Sequence, residues 1–223
     1  MVELRRKQSG FTLIELLLAM SVLSFVVLIS LVVFIQINAM YYKGISTTKA
    51  QEAARAISED IVKEIQTTGG KGPTFVQIPI SGSADYNKAL CTNSAIYLIR
   101  ENRLADTNQS SPNRHVLAKF RIAGSLACPT DATSFNTVLS STADSYDFLS
   151  GNFSVHGFNF SNNELYLTIA YADIVNSPTI LEPYTDSSRG IALSTKRCAG
   201  GFTAGNQYCA TASLRTAVYA RTN

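Results

Sequence analysis

The stretch Arg5-Arg6-Lys7-Gln8-Ser9-Gly10-Phe11-Thr12-Leu13-Ile14-Glu15 decides how this chain reads. Three cations precede a glycine-phenylalanine step, and a carboxylate stands at the fifth position from Phe11, at the head of an apolar run. From Leu16 to Ile35 there is no charged residue. Basic residues in front of such a run hold its N-terminus in the cytoplasm, so the segment is expected to cross a membrane once, with its C-terminal side outside. At about 1.5 Å per residue, a helix from Phe11 to Ile35 is roughly 37 Å long, enough for a hydrocarbon core of about 30 Å with some tilt.

Glu15 then lies inside the apolar zone. A carboxylate at the bilayer centre costs about 2.5–3.5 kcal/mol on insertion scales, so it needs a partner or a use. The neighbouring sequence offers no partner. A cut after Gly10 gives Phe11 a free amine, and the amine of a neighbouring subunit can neutralise Glu15 where low dielectric strengthens the attraction. That solution requires assembly.

These residues match a known pattern: the segment resembles the type IV prepilin superfamily, which includes pilins and the pseudopilins of type II secretion. In that family a basic leader ends in glycine, a prepilin peptidase cuts before a phenylalanine, the new amine is methylated, and glutamate occupies the fifth mature position. The resemblance puts cleavage between Gly10 and Phe11, N-methylation on Phe11 and an assembly role on Glu15. It also implies an inner-membrane assembly platform and other pilins or pseudopilins as partners, with the cytoplasmic membrane and then a cell-surface filament as the location. The match is specific over residues 5 to about 35. One departure is Val32, near where many major pilins carry a proline about twenty residues into the mature helix.

Two plainer readings compete. A secretory signal peptide has a shorter apolar region and a small-residue cleavage site after it, whereas this run continues to Ile35. A plain signal anchor explains length and leader but gives Gly10, Phe11 and Glu15 no role.

The 223 residues, 46% hydrophobic and 16% charged, have globular composition and leave room for one exterior domain beyond the anchor. Loss of residues 1–10 removes three basic residues and one acidic one, taking the formal charge from +3 to +1. That balance gives no nucleic-acid signal. The four cysteines, Cys91, Cys128, Cys198 and Cys209, all follow the anchor, where an even count argues for two disulfides. No C-x-x-C spacing suggests zinc or redox chemistry. Three pairings are possible, and shorter loop closure favours Cys91 with Cys128 and Cys198 with Cys209.

The helix is expected to continue past the membrane. Ala50, Ala54, Ile57, Ile61 and Ile65 recur at steps of three and four and form one face for packing, while Arg55, Glu59 and Lys63 form a solvated one. Gly69-Gly70 and Gly72-Pro73 end it. Gly44 either marks a bend or is neutral. Beyond residue 73 the pattern turns to strands. Runs 94–100 and 116–122 are expected to pair. Phe153 and Val155, a bulge at Gly157, then Phe158 and Phe160 are followed, across Ser161-Asn162-Asn163, by Leu165 to Tyr171 as a second hairpin. Leu214 to Tyr219 supplies a last strand.

The expected fold class is therefore α+β, pilin-like: a long N-terminal helix, transmembrane in its first half, laid on an antiparallel sheet in a disulfide-bonded exterior domain. The expected parts are a leader at 1–10, a membrane or filament-core helix at 11–35, its continuation at 36–72 and an exterior domain at 73–223. The region from Ile57 to Gly69, the length, and Leu214-Arg215-Thr216 resemble larger minor pilins of the W type or the J-type minor pseudopilin, which implies a position at or near a filament tip.

Catalytic patterns are sparse. His115 and His156 are the two histidines, neither in a metal-ligand spacing, and there is no P-loop or G-x-S-x-G elbow. They read as surface or strand residues. Asp144 with Asp147, and Asp173 with Glu182, read as solvated loop acids, since they lack the alternating spacing of a calcium loop. The triplets at Asn108, Asn152 and Asn159 fit a glycosylation pattern but read as turn and strand polar residues. No cofactor or metal is expected, and the chain is expected to be a structural subunit and not an enzyme: a minor pilin, with a minor pseudopilin as the near alternative and a signal-anchored ligand-binding or enzymatic domain as the alternative of another class.

Overall fold

A computed structural model describes residues 12–67, 72–80, 86–102, 115–122, 127–141, 145–149, 152–171, 181–185, 194–198 and 209–219. The leader, Gly10, Phe11, Asn108, Asp144, Asp173 and the Gly69-Gly70 pair lie outside the described residues. The chain divides into two units, Met1–Tyr41 and Tyr42–Asn223, and the division falls inside the first helix.

That helix, α1 (Leu13–Thr67), runs through Gly44 without interruption. Within the second unit it buries Ser46, Ala50, Ala54, Ile57, Ser58, Ile61 and Ile65. These include the five residues of the apolar face read from the sequence, and Arg55, Glu59 and Lys63 are exposed. Small residues at 46, 50, 54 and 58 let the backbone approach the sheets closely, and the three isoleucines fill the space beyond them.

Among the described residues, ten strands form three antiparallel sheets where the sequence suggested one. Strands β1 (Thr74–Pro79), β2 (Tyr86–Cys91), β3 (Ala95–Arg100), β4 (Leu117–Arg121) and β5 (Ser145–Asp147) form a meander in sequence order. A second sheet orders β10 (Ala210–Ala217), β7 (Glu164–Tyr171) and β6 (Phe153–Ser161), and β8 (Leu181–Thr185) pairs with β9 (Ser194–Cys198). The two hairpins read from the sequence are present as β3–β4 and β6–β7. The last strand runs from 210 to 217, so it begins four residues earlier than Leu214 and stops before Tyr219. Its register against β7, from Ala210↔Tyr171 to Ala217↔Glu164, matches the full length of that strand.

The β6–β7 hairpin shows how local chemistry sets register. Asn162 and Asn163 have φ of 52° and 60°, the left-handed pair that a two-residue hairpin of the right twist demands and that asparagine tolerates. Further along, Val155 opposes Ile169 but Gly157 opposes Thr168, so His156 is the extra residue of a bulge. A Cβ on Gly157 would stand 3.2 Å from Tyr166 Cε1, so a side chain there would push that ring aside. The bulge makes Ser154, Val155 and His156 consecutively buried.

Strand β3 explains a second helix that the sequence reading missed. All six of its residues are buried. Tyr97 and Ile99 join the core with α1, whereas Ile96 and Leu98 join Ala118, Phe120 and Ile78 in a second core with Phe135, Val138 and Leu139. A strand apolar on both faces needs cover on both. The second cover is α2 (Ala132–Leu139), capped by Asp131, whose carboxylate accepts from Ser134 N at 2.8 Å while Ser134 Oγ accepts from Asp131 N at 3.1 Å. The Ser134 amide bond holds the Asp131 carboxyl below its ordinary pKa. The Cys91–Cys128 disulfide ties the approach to α2 to β2, and Cys198–Cys209 ties β9 to the start of β10. By loop length they are worth about 4 and about 3 kcal/mol respectively.

Candidate assembly site

Thr12 and Glu15 begin α1. Glu15 Oε2 accepts from both Thr12 N and Thr12 Oγ1 at 2.9 Å, and Thr12 Oγ1 accepts from Glu15 N at 3.3 Å. Leu16 N closes the first helical bond on Thr12 O at 3.2 Å. This is a reciprocal capping box, in which Thr12 as N-cap and Glu15 as third helical residue each satisfy a donor that the helix cannot. Contrary to the reading of the sequence, Glu15 has a partner nearby, in Thr12. The sequence carries the signal as Thr12-x-x-Glu15, in which the partner is a hydroxyl and an amide and not a cation.

From Leu13 to Ile37 the large apolar side chains are 45–77% exposed. No internal contact removes them from water, and at about 25 cal/mol per Å² so continuous a surface must be covered by lipid or protein. The segment's three serines are already answered inside the helix. Ser21 Oγ donates to Leu18 O at 2.8 Å, Ser24 Oγ to Met20 O at 2.8 Å and Ser30 Oγ to Val26 O at 2.7 Å. Hydroxyls satisfied this way tolerate an apolar medium. α1 is the one helix among the described residues long and apolar enough to cross a membrane. After Ile37 come Met40, Tyr41, Tyr42 and Lys43, with both tyrosines exposed. Tyrosines followed by a lysine are residue types that favour a membrane–water interface, and the sequence reading did not single them out.

The second half of α1 is fixed by polar contacts as well as by packing. Lys119 Nζ donates to Asp60 Oδ2 at 3.0 Å and to Glu64 Oε2 at 2.8 Å, and Tyr97 Oη donates to Asp60 Oδ2 at 2.6 Å. Burial pulls the Lys119 ammonium down, but its hydrogen bonds to Glu64 and Asp60 and their charges outweigh that and leave it above the ordinary lysine value. Burial, then the Asp60 bond, pushes the Tyr97 phenol upward. On the other side Lys49 Nζ lies 5.0 Å from the centre of the Tyr171 ring, and Ser58 Oγ is 3.4 Å from Thr216 Oγ1.

A further polar group joins the five-stranded and three-stranded sheets. Lys88 Nζ donates to Glu101 Oε1 at 2.7 Å and to Phe158 O at 2.9 Å, and Phe158 N donates to Glu101 Oε1 at 2.7 Å. Each charge is buried but fully engaged, which is the condition under which a buried pair is tolerated.

Both histidines are buried, and His156 lies in strand β6, one of the two placements expected from the sequence. His115 Nδ1 meets Asp147 Oδ1, so Asp147 is a paired residue and not a solvated loop acid. His156 Nε2 is 2.7 Å from Ser154 Oγ and Nδ1 is 2.8 Å from Asn102 Oδ1. The order serine, histidine, asparagine has the form of a nucleophile, base and orienting group, yet Ser154 is 1% exposed and presents no surface to a substrate. The bulge aims His156 inward, where the network ties β6 to Asn102, two residues past the end of β3. Among the described residues no three of His, Cys, Asp and Glu gather as a metal site. Asn152 immediately precedes β6, Asn159 lies within it, and Glu182 lies in β8.

No curated protein and no solved structure matches the chain. Residues 5–31 match the family model of the prokaryotic N-terminal methylation motif. That motif, the long apolar helix it leads into and the disulfide-bonded antiparallel sheets support a place for this chain in the type IV prepilin superfamily, as a pilin-like or pseudopilin-like protein.

Proposed function

We propose that this protein is a minor pilin-like structural subunit of a type IV pilus and not an enzyme. Prepilin peptidase removes residues 1–10 between Gly10 and Phe11, the Phe11 amine is methylated, and the mature subunit enters a filament at or near its tip. The observation that carries this reading is an apolar helix segment with no internal cover, headed by Glu15, within a chain that matches the methylation motif over residues 5–31. Before assembly, lipid covers that surface with the N-terminus in the cytoplasm; afterwards, the helices of neighbouring pilins do. The assembly platform in the inner membrane moves it from one to the other.

Intact mass of the protein taken from a strain with active peptidase tests the proposal. The expected mass begins at Phe11 with one added methyl group, and a bulky or charged residue in place of Gly10 blocks cleavage more than Gly10→Ala does. A chain that still begins at Met1 overturns it. Recovery in sheared surface pili, rather than in a filament dependent on type II secretion components, separates the pilus subunit from a minor pseudopilin.

A further inference from the structure

We propose that the cleft between α1 and the β4–β5 edge of the five-stranded sheet binds a neutral pyranose ring. It is lined by Ala56 and Asp60 of α1, Lys119 and Arg121 of β4, and Ser145, Tyr146 and Phe148 at β5. Its volume of about 510 Å³ falls within the range of small-molecule sites. The inference does not depend on the assembly reading, because every lining residue belongs to the second unit.

An aromatic plate is the first reason. Tyr146 is 63% exposed on the outermost strand of the sheet. Its ring meets Phe148 edge-on, with centroids 4.9 Å apart and planes at 85°, and Phe148 stacks on buried Tyr97 at 6.2 Å. An exposed tyrosine backed by two further rings is held in place at low entropic cost. Its electron-rich face suits the weakly positive C–H face of a sugar ring.

The polar groups around that plate supply the second reason. Asp60 offers acceptors, Arg121 a planar fork of donors, and the hydroxyls of Ser145 and Tyr146 both functions. Neighbouring hydroxyls on a pyranose present donors and acceptors at spacings that such a mixed set can meet. Charge balance then selects among polar ligands. The Lys119 ammonium is already bound by Asp60 and Glu64, and with Arg121 the four formal charges cancel. These four residues leave no net charge to draw an anion, so among the described residues nothing favours a phosphate or carboxylate and an uncharged polyhydroxylated ring fits best.

The test uses the full chain in a detergent without a sugar headgroup, since an alkyl glycoside would itself occupy the site. Saturation-transfer NMR with methyl glucoside, methyl galactoside and methyl mannoside at millimolar concentration should give transfer to the ring protons of at least one. Tyr146→Ala and Arg121→Gln should weaken that binding at least fivefold with unchanged circular dichroism, Tyr146→Phe should largely keep it, and the uronate of the bound sugar should bind no tighter. Retained binding when the same ring ends an oligosaccharide identifies a terminal glycan as the source, and binding of the methyl glycoside alone identifies a free sugar. Absence of transfer from all three, transfer undiminished in Tyr146→Ala, or a uronate that binds ten times tighter overturns the proposal.

Discussion

Between Leu13 and Ile37 α1 leaves its large apolar side chains exposed, whereas between Ser46 and Ile65 it buries a residue every three or four positions. Backbone geometry is the same in both stretches, and the sequence differs only in pattern. The first is apolar all round and the second is apolar on one face. A helix apolar all round has its partner outside the chain, and one with a single apolar face has its partner within it. Each half therefore answers a different experiment: changes in the first should alter association and spare the fold, and changes in the second should do the reverse.

The sharpest test of the first half is Glu15. Under the proposed function its carboxylate meets the matured Phe11 amine of a neighbour in a dry filament core, and removal of one partner of a buried pair costs about 3–5 kcal/mol. Glu15→Gln is more informative than Glu15→Ala, since the amide oxygen still accepts from Thr12 and only the charge is lost. Both variants should reach the membrane at normal levels and be cleaved normally. Both should be absent from sheared filaments. Thr12→Val, which weakens the cap by about 1 kcal/mol and leaves the charge, should still incorporate. Wild-type incorporation of Glu15→Gln would reduce the residue to a helix cap.

A matched pair of isoleucines tests the contrast itself, at slightly smaller magnitude. Ile61 is 0% exposed and Ile29 is 63% exposed. Ile61→Ala should lower the stability of the second unit by about 2–5 kcal/mol, the cost of a cavity in a close-packed core. Ile29→Ala should leave it within about 0.5 kcal/mol. Pulse proteolysis across a urea series measures both. Equal losses would mean that the two halves are not energetically distinct.

What could be read in advance follows the same division. The methylation motif over residues 5–31 was legible because it consists of fixed residue types at fixed spacing. The packed face of α1 was legible because Ala50 to Ile65 keep helical period. The β6–β7 hairpin was legible because Asn162-Asn163 and Gly157 are specific backbone signals. Strands β1 and β2 and helix α2 were not, since their apolar residues answer partners distant in sequence: Phe135 and Val138 have meaning only once Ile96 and Leu98 are known to face them. The polar sites failed for a related reason. Nothing near Lys88 announces Glu101 thirteen residues later, and nothing near His115 announces Asp147. Surface placement is the ordinary expectation for a histidine in a polar context, and the bulge at His156 reversed it.

The smallest expected effect concerns how the second half is held, and it carries a pH signature. Tyr97 is fully buried and donates to Asp60, so its phenol stays neutral in the fold well above its ordinary value. A raised folded pKa contributes stability that is complete below the unfolded value, near 10, and is lost as pH rises toward the folded one, because only the unfolded phenol releases its proton. Lys119 shifts in the same direction, so its contribution also fades on the alkaline side. At pH 7, Tyr97→Phe should cost about 1 kcal/mol, the net worth of one hydrogen bond, with Asp60 still held by Lys119. Above about pH 10 the wild type should lose up to about 1.4 kcal/mol per pH unit through Tyr97 alone, and the variant lacks that slope. The stability difference should therefore shrink and then reverse sign between about pH 10 and 11. Denaturant unfolding of both proteins at pH 7, 9, 10 and 11 measures it. A difference that stays constant across the series would show that Tyr97 ionises as readily in the fold as out of it, and that the Asp60 contact does not hold α1 to the sheet.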